Sequence, residues 1–122
     1  MKRSKVREAL PKPNILQLSE YNITQKIMDS LVNPCHRSVL FSIVNKPKIA
    51  NQISDDLNIS LSAVYKTLGK LEELTLVFVE KFEFKDGKKI KFYKSRIGNA
   101  EISLYSTDAI LKLYPNKSVV DT

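Results

Sequence analysis

The chain has 122 residues, of which 43% are hydrophobic and 27% charged, with a formal net charge of +7 and a pI of about 9.5. This balance is typical of one globular domain with a modest core, and it excludes a chain that is disordered throughout. No apolar run approaches the roughly 18 residues of a membrane-spanning helix, and a single cysteine excludes an internal disulfide framework. The positive charge favours polyanionic partners, nucleic acid first and a membrane surface second.

Residues 1–18 predict a flexible arm, because they contain Pro11 and Pro13 and little hydrophobic periodicity. The arm is basic, with Lys2, Arg3, Lys5, Arg7 and Lys12 against one glutamate in its first 12 residues. It either adds phosphate contacts or only keeps the chain in solution. No apolar signal core follows it, so we expect no export and a cytoplasmic protein.

Two helices are expected before residue 45. The first runs from residue 19 or 20 to about Val32, with an apolar face of Ile23, Ile27, Met28 and Leu31. Pro34 suits the first position of a second helix, whose apolar face carries Val39, Leu40, Ile43 and Val44. Residues 45–47 should end it.

A helix, a tight turn and another helix follow. The third helix spans about 48–57 and buries Ile49, Ile53 and Leu57. Asn58 tolerates the left-handed conformation of a tight exit, and Ser60 is a good N-cap for a fourth helix over 61–74. That helix should bury Val64, Leu68 and Leu71.

Residues 76–95 predict a β-hairpin, with strands 76–84 and 90–95 around a turn at 85–88. A two-residue turn would place Phe82 and Phe84 on the same face as Lys89 and Lys91. We favour a three-residue turn with a bulge, which aligns the two phenylalanines with apolar residues of the return strand and buries the aromatic set on one face.

Residues 97–114 contain many β-formers around a polar break, which favours a second hairpin with strands 101–105 and 109–114. A C-terminal helix is the alternative, and residues 115–122 should be frayed. The order of elements predicts an α+β fold, a winged helix-turn-helix made of a helix bundle and a β-hairpin wing, with a second C-terminal hairpin. The expected organisation is an arm (1–18), the winged domain (19–96) and a hairpin or dimerisation segment with a tail (97–122).

The segments NPCHRSVLFSIV and IANQISDDLNISLSAVYKTLGKLEELTLV resemble the winged-helix transcription regulators of the ArsR and MarR kind. The run AVYKTLGKL is also similar to the recognition helix of several other winged-helix repressor families. The resemblance covers residues 33–95 and implies DNA binding through the fourth helix and the wing. Thr75 stands where such proteins usually have glycine. Metal-sensing members of this kind carry either a cysteine pair or a set of histidine and acidic ligands. This sequence shows neither, which argues against a metal sensor.

Two groups of residues are candidates for DNA contact. The outward face of the fourth helix and its cap can reach base edges or phosphates, through Ser60, Ser62, Ala63, Tyr65, Lys66, Thr67 and Lys70. The tip of the wing can lie along phosphates or enter the minor groove, through Lys85, Lys88, Lys89 and Lys91. The plainer alternatives are a solvated helix face and lysines that protect a hairpin from edge pairing.

The remaining chemistry-bearing residues point to no enzyme, metal site or cofactor. Cys35 and His36 are adjacent and cannot complete a tetrahedral metal site by themselves, although a redox-sensing thiol stays open as an alternative to a plain helix-start residue. The wing aromatics are expected in core and sheet packing, and they could stack on single-stranded bases only if exposed (Phe78, Phe82, Phe84, Phe92 and Tyr93).

The sequence therefore predicts a sequence-specific regulator that binds double-stranded DNA and acts as a homodimer. The dimer surface would be the first helix (Ile23, Ile27, Met28 and Leu31), the C-terminal segment or both. The rival hypotheses are a winged-helix protein-interaction module of the transcription or replication machinery and a non-specific nucleic-acid binder. The sequence names no small-molecule effector and no membrane partner.

Overall fold

The computed structural model describes residues 15–119, with side chains from residue 22 onward, as four helices followed by two antiparallel hairpins. These elements are α1 (Ile15–Val32), α2 (Pro34–Ser42), α3 (Ala50–Leu57), α4 (Leu61–Glu73), β1 (Val77–Lys85), β2 (Lys88–Ser95), β3 (Ile97–Tyr105) and β4 (Asp108–Pro115). The α+β class is confirmed. Residues 1–14 of the predicted arm lie outside the described residues, and residues 15–18 belong to α1 rather than to an arm.

The helix ends follow local side-chain chemistry. Asn33 caps α2 by accepting a hydrogen bond from the backbone N–H of His36 at 3.1 Å, and Pro34 takes the first helical position. Asn58 ends α3 in the left-handed conformation, with φ of 56°. The start of α3 is later than predicted, because the backbone of Lys48 pairs with that of Tyr93 at 3.1 and 2.9 Å and is thereby extended.

The core lies between α2, α3, α4 and the base of the first hairpin. Its least exposed hydrophobic members are at most 2% exposed, namely Val39, Leu40, Ile43, Ile53, Val64, Leu68, Leu71, Leu76 and Val77. Ile27 and Leu31 of α1 join the same cluster, as do Ile97 and Leu111 of the second hairpin. The helix-turn-helix, the wing and the base of the second hairpin therefore share one apolar interior.

The prediction of a three-residue wing turn was wrong. Asp86 and Gly87 form a two-residue turn with φ of 51° and 75°, and Phe84 lies opposite Lys89. The bulge is instead at Glu80, where the pairing shifts between Val79 and Lys81. A bulge far from the turn allows a tight Asp-Gly turn and a buried strand base in the same hairpin.

The second hairpin is confirmed over the alternative helix, and its strands are longer than predicted. Its turn is Ser106–Thr107, with Tyr105 opposite Asp108. The expected fraying from residue 115 was wrong as far as the structure describes the chain. Asn116 is buried and its side-chain nitrogen donates to the carbonyl oxygens of Val44 and Ser95 at 2.8 and 2.9 Å, which ties the end of β4 to the core. Residues 120–122 lie outside the described residues.

Thr75 ends α4 in a conformation that favours glycine. Its backbone N–H donates to the carbonyl of Glu72 and that of Leu76 donates to the carbonyl of Leu71, both at 2.9 Å, which is the Schellman pattern. The φ of Thr75 is 61°, where a β-branched side chain is strained. The exit to the wing is thus the one a glycine would make, with threonine in its place.

We expect the Thr75→Gly substitution to raise the free energy of unfolding by about 0.5–1 kcal/mol, because it removes the Cβ strain at positive φ at a smaller cost in backbone entropy. Urea unfolding followed by circular dichroism measures the change. The Thr75→Ala variant keeps a Cβ and is the matched control. A glycine variant no more stable than the alanine variant would contradict the assignment of strain to this residue.

Candidate nucleic-acid interface

One side of α4 is buried and the other is open to solvent. Val64, Leu68 and Leu71 point inward, as predicted. The first two turns expose a mixed polar face of Ser62, Tyr65 and Lys66, and Lys70 follows one turn later. Ala63 is half-buried at the edge of this face. Hydroxyl and ammonium groups at this spacing can reach base edges and phosphates.

Thr67 does not belong to the outward face, and its prediction as a contact residue was wrong. It is 4% exposed, and its Oγ1 lies 3.9 Å from the Sγ of Cys35 on α2. The N-terminal end of α2 covers α4 at this turn, so the buried stripe of α4 is wider than its aliphatic residues alone. Thr67 therefore helps to seat α4 on α2, and it lies at the wall between the two helices rather than on the outward face.

Ser60 fixes where α4 begins. Its Oγ accepts a hydrogen bond from the backbone N–H of Ala63 at 3.1 Å and lies 3.4 Å from the Oγ of Ser62. The cap satisfies one of the free N–H groups of the first turn, and the positive end of the helix dipole lies there. The start of α4 is therefore favourable to a phosphate.

The structure brings the wing lysines to α4. Lys85, Lys88, Lys89 and Lys91 are all exposed, and all four line a groove of about 580 Å³ together with Tyr65 of α4. The groove is also lined by three residues at the start of α3, namely Ile49, Ala50 and Asn51, and by Tyr93 of β2. Tyr65 and the wing lysines, at least 20 positions apart in the chain, thus line one groove, whose charged side chains are the four lysines and Asp86.

Two basic residues at the base of the wing, Lys94 and Arg96, do not line that groove. Lys94 is 4% exposed and its Nζ donates to the carbonyl oxygen of Asn45 at 3.2 Å. The guanidinium of Arg96 stacks 4.7 Å from the ring centre of Phe78. The free positive charge is therefore concentrated toward the tip.

A second, smaller hollow lies where α2 meets α4. Cys35, His36, Lys66 and Lys70 are among the residues that line it. Burial lowers the pKa of His36, and the positive charge of Lys70 lowers it further. The imidazole is thus neutral near pH 7, and its Nδ1 lies 2.9 Å from the Oγ of Ser30. Lys70 also faces Glu73 at 3.9 Å in an exposed, weak ion pair.

Phe82 and Phe84 of the wing are exposed, contrary to the prediction from the sequence. They are 47% and 76% exposed, although core or sheet packing was expected. Both lie opposite lysines, in the pairs Phe82–Lys91 and Phe84–Lys89. A two-residue turn aligns both phenylalanines with lysines, and this alignment indicates an exposed face. The general tendency of aromatic residues to be buried favoured the wrong turn length.

Within residues 15–119 no group of three histidine, cysteine, aspartate or glutamate side chains is placed to hold a metal ion. None of the helices described in this range is long and apolar enough to cross a membrane.

Comparison with known proteins gives a structural likeness and no sequence family. No family model and no curated protein matches the chain. Among solved structures, NolR from Sinorhizobium fredii superposes with a TM-score of 0.53 over 70% of this chain and 80% of its own, at 21% sequence identity. The two proteins share the winged-helix fold, and at this identity the likeness is one of fold alone.

Proposed function

We propose that the protein is a sequence-specific regulator of transcription that binds double-stranded DNA. The observation that carries the proposal is the groove shared by Tyr65 of α4 and the lysines of the wing tip. In winged-helix and other helix-turn-helix proteins the second helix of the motif enters the major groove. A basic hairpin beside that helix can then follow the adjacent phosphates.

The exposed residues of α4 divide by position along the helix. Ser62, Tyr65 and Lys66 lie in the first two turns, where side chains of a recognition helix reach base edges. Lys70 lies one turn further on and is better placed for the phosphate backbone. Base contacts supply sequence preference, whereas the wing lysines supply affinity that depends on salt and not on sequence.

Two other functions predict different behaviour on the same surface. A protein-interaction module would use the exposed face of α4 for a partner and would bind DNA weakly, with little dependence on salt. A non-specific nucleic-acid binder would bind every duplex equally. The charge at the wing tip disfavours the first, and the hydroxyl-rich start of α4 disfavours the second.

We expect the wild-type protein to bind random duplex DNA with an affinity that falls steeply with salt, measured by fluorescence anisotropy. The variants Lys66→Ala/Lys70→Ala and Lys88→Ala/Lys89→Ala should each bind about tenfold more weakly at low salt, because each removes up to two phosphate or base contacts. The salt slope should become shallower by as much as about 2 in the wing variant.

Lys112→Ala/Lys117→Ala is the control for this experiment. It removes the same charge from exposed lysines near the second hairpin and should change the affinity by less than about twofold. Equal losses in all three variants would mean that net charge alone drives binding. Absence of binding at low salt would overturn the proposal and favour the protein-interaction module.

We further propose that the regulator is a homodimer formed through the second hairpin. Part of the apolar face predicted on α1 is not available for a dimer, because Ile27 and Leu31 are buried in the core of the same chain. By contrast, one face of the second hairpin presents Ile102, Leu104 and Leu113 to solvent, with Leu104 75% exposed. An apolar face of this kind is typical of a self-association surface, and two copies would present two recognition helices.

The Leu104→Glu variant tests the dimer. We expect the wild type to have the mass of two chains by size-exclusion chromatography with light scattering, and the variant to have the mass of one. Thr107→Glu, at the exposed turn of the same hairpin, adds the same charge outside the apolar face and should stay dimeric. A wild type that is monomeric at high concentration would contradict the proposed dimer.

A further inference from the structure

A single row of apolar side chains runs from the core to the tip of the wing. On β2, Tyr93, Lys91 and Lys89 share one face, because alternate residues of a strand point the same way. On β1, Val79 lies opposite Tyr93, and the bulge at Glu80 then brings Phe82 and Phe84 opposite Lys91 and Lys89. The core-facing side of the hairpin thus continues outward as an aromatic surface.

The aromatic surface extends beyond the core toward the tip of the wing. Tyr93 is 6% exposed at the base of the wing, whereas Phe82 and Phe84 are open to solvent. Within the described chain no helix covers the two rings, and the hairpin carries them past the last core residue. Two neighbouring phenylalanines on an exposed hairpin are costly to leave in water, which indicates a ligand.

The charges around the rings define the chemistry of that ligand. The Nζ of Lys89 lies 4.0 Å from the ring centre of Phe82, and Lys91 lies directly across the hairpin from the same ring. Lys89 and Lys91 also line the groove beside α4, so the rings and the groove share one basic surface. Flat aromatic faces interleaved with lysines match a strand of nucleic acid, with bases against the rings and phosphates against the ammonium groups.

Paired bases inside a duplex are already stacked and cannot offer their faces to a protein side chain. We propose that Phe82 and Phe84 stack on unpaired bases, so that the protein prefers DNA in which a short segment is melted or mismatched beside the site contacted by α4. This inference rests on the proposed DNA-binding function and adds the structural state of the DNA to it. The lysines disfavour an apolar protein segment as the occupant.

The first test compares two DNA ligands by fluorescence anisotropy, namely a random duplex and the same duplex with a short central bubble of mismatched bases. The wild type should bind the bubble about fivefold more tightly or better, as expected for at least one stacked base. The Phe82→Leu/Phe84→Leu variant keeps apolar side chains and every lysine. It should lose the preference while its affinity for the paired duplex stays within about twofold.

The second test detects stacking by tryptophan fluorescence. Since the chain contains no tryptophan, a single introduced tryptophan is the only source of the signal. In the Phe84→Trp variant, the bubble ligand should quench the tryptophan fluorescence strongly and the paired duplex should not. Tyr105→Trp is the matched control, since Tyr105 is an exposed aromatic residue at the tip of the other hairpin. Its fluorescence should be unchanged by either ligand.

The outcomes separate this inference from the function on which it rests. Equal affinity for bubble and duplex, or a preference that survives in the leucine variant, overturns the stacking inference and leaves duplex binding intact. Binding of the bubble with no binding of the paired duplex supports stacking and overturns the double-stranded regulator. If neither ligand binds at low salt, both proposals fail.

Discussion

Burial of one side of α4 sets the orientation of this helix and, with it, the position of the wing. Val64 and Leu68 seat the helix in the core, and Thr67 is buried with them against Cys35. With that side committed, the helix can expose only the face that carries Tyr65 and Lys66. The same burial fixes the exit at Thr75 and hence the point from which the wing departs, so core packing and the candidate interface are set together.

The wing shows how one extra residue changes the use of a strand. Without the bulge at Glu80, the alternation of β1 would turn Phe82 and Phe84 to the opposite face from Val79. With the bulge, one face of the hairpin is apolar at the base of the wing and both aromatic and basic at the tip. One side of the hairpin is therefore buried in the core at its base and exposed to solvent at its tip.

Much of the fold could be predicted because its signals are local. Asn33 and Ser60 cap helices through their own side chains, Asn58 and Asp86-Gly87 adopt positive φ, and aliphatic spacing marks the inward faces. The position of the wing turn was predicted but its length was not, although Asp86-Gly87 is a local signal for two residues. The other failures depend on distant packing. Nothing in the sequence near Glu80 signals a bulge, and the burial of Thr67 depends on the approach of α2. At the candidate site, the wing lysines line one groove with Tyr65, and the exposure of Phe84 follows from the register of the hairpin.

We propose that the exposed face of α4 and the wing tip form one surface for DNA. Its most direct test is amide chemical-shift mapping by NMR during titration with duplex DNA. We expect the largest shifts to fall on residues 60–70 and 85–91 together, with residues 101–113 of the second hairpin nearly unchanged. Shifts confined to the second hairpin, or to the wing with α4 unaffected, would contradict it.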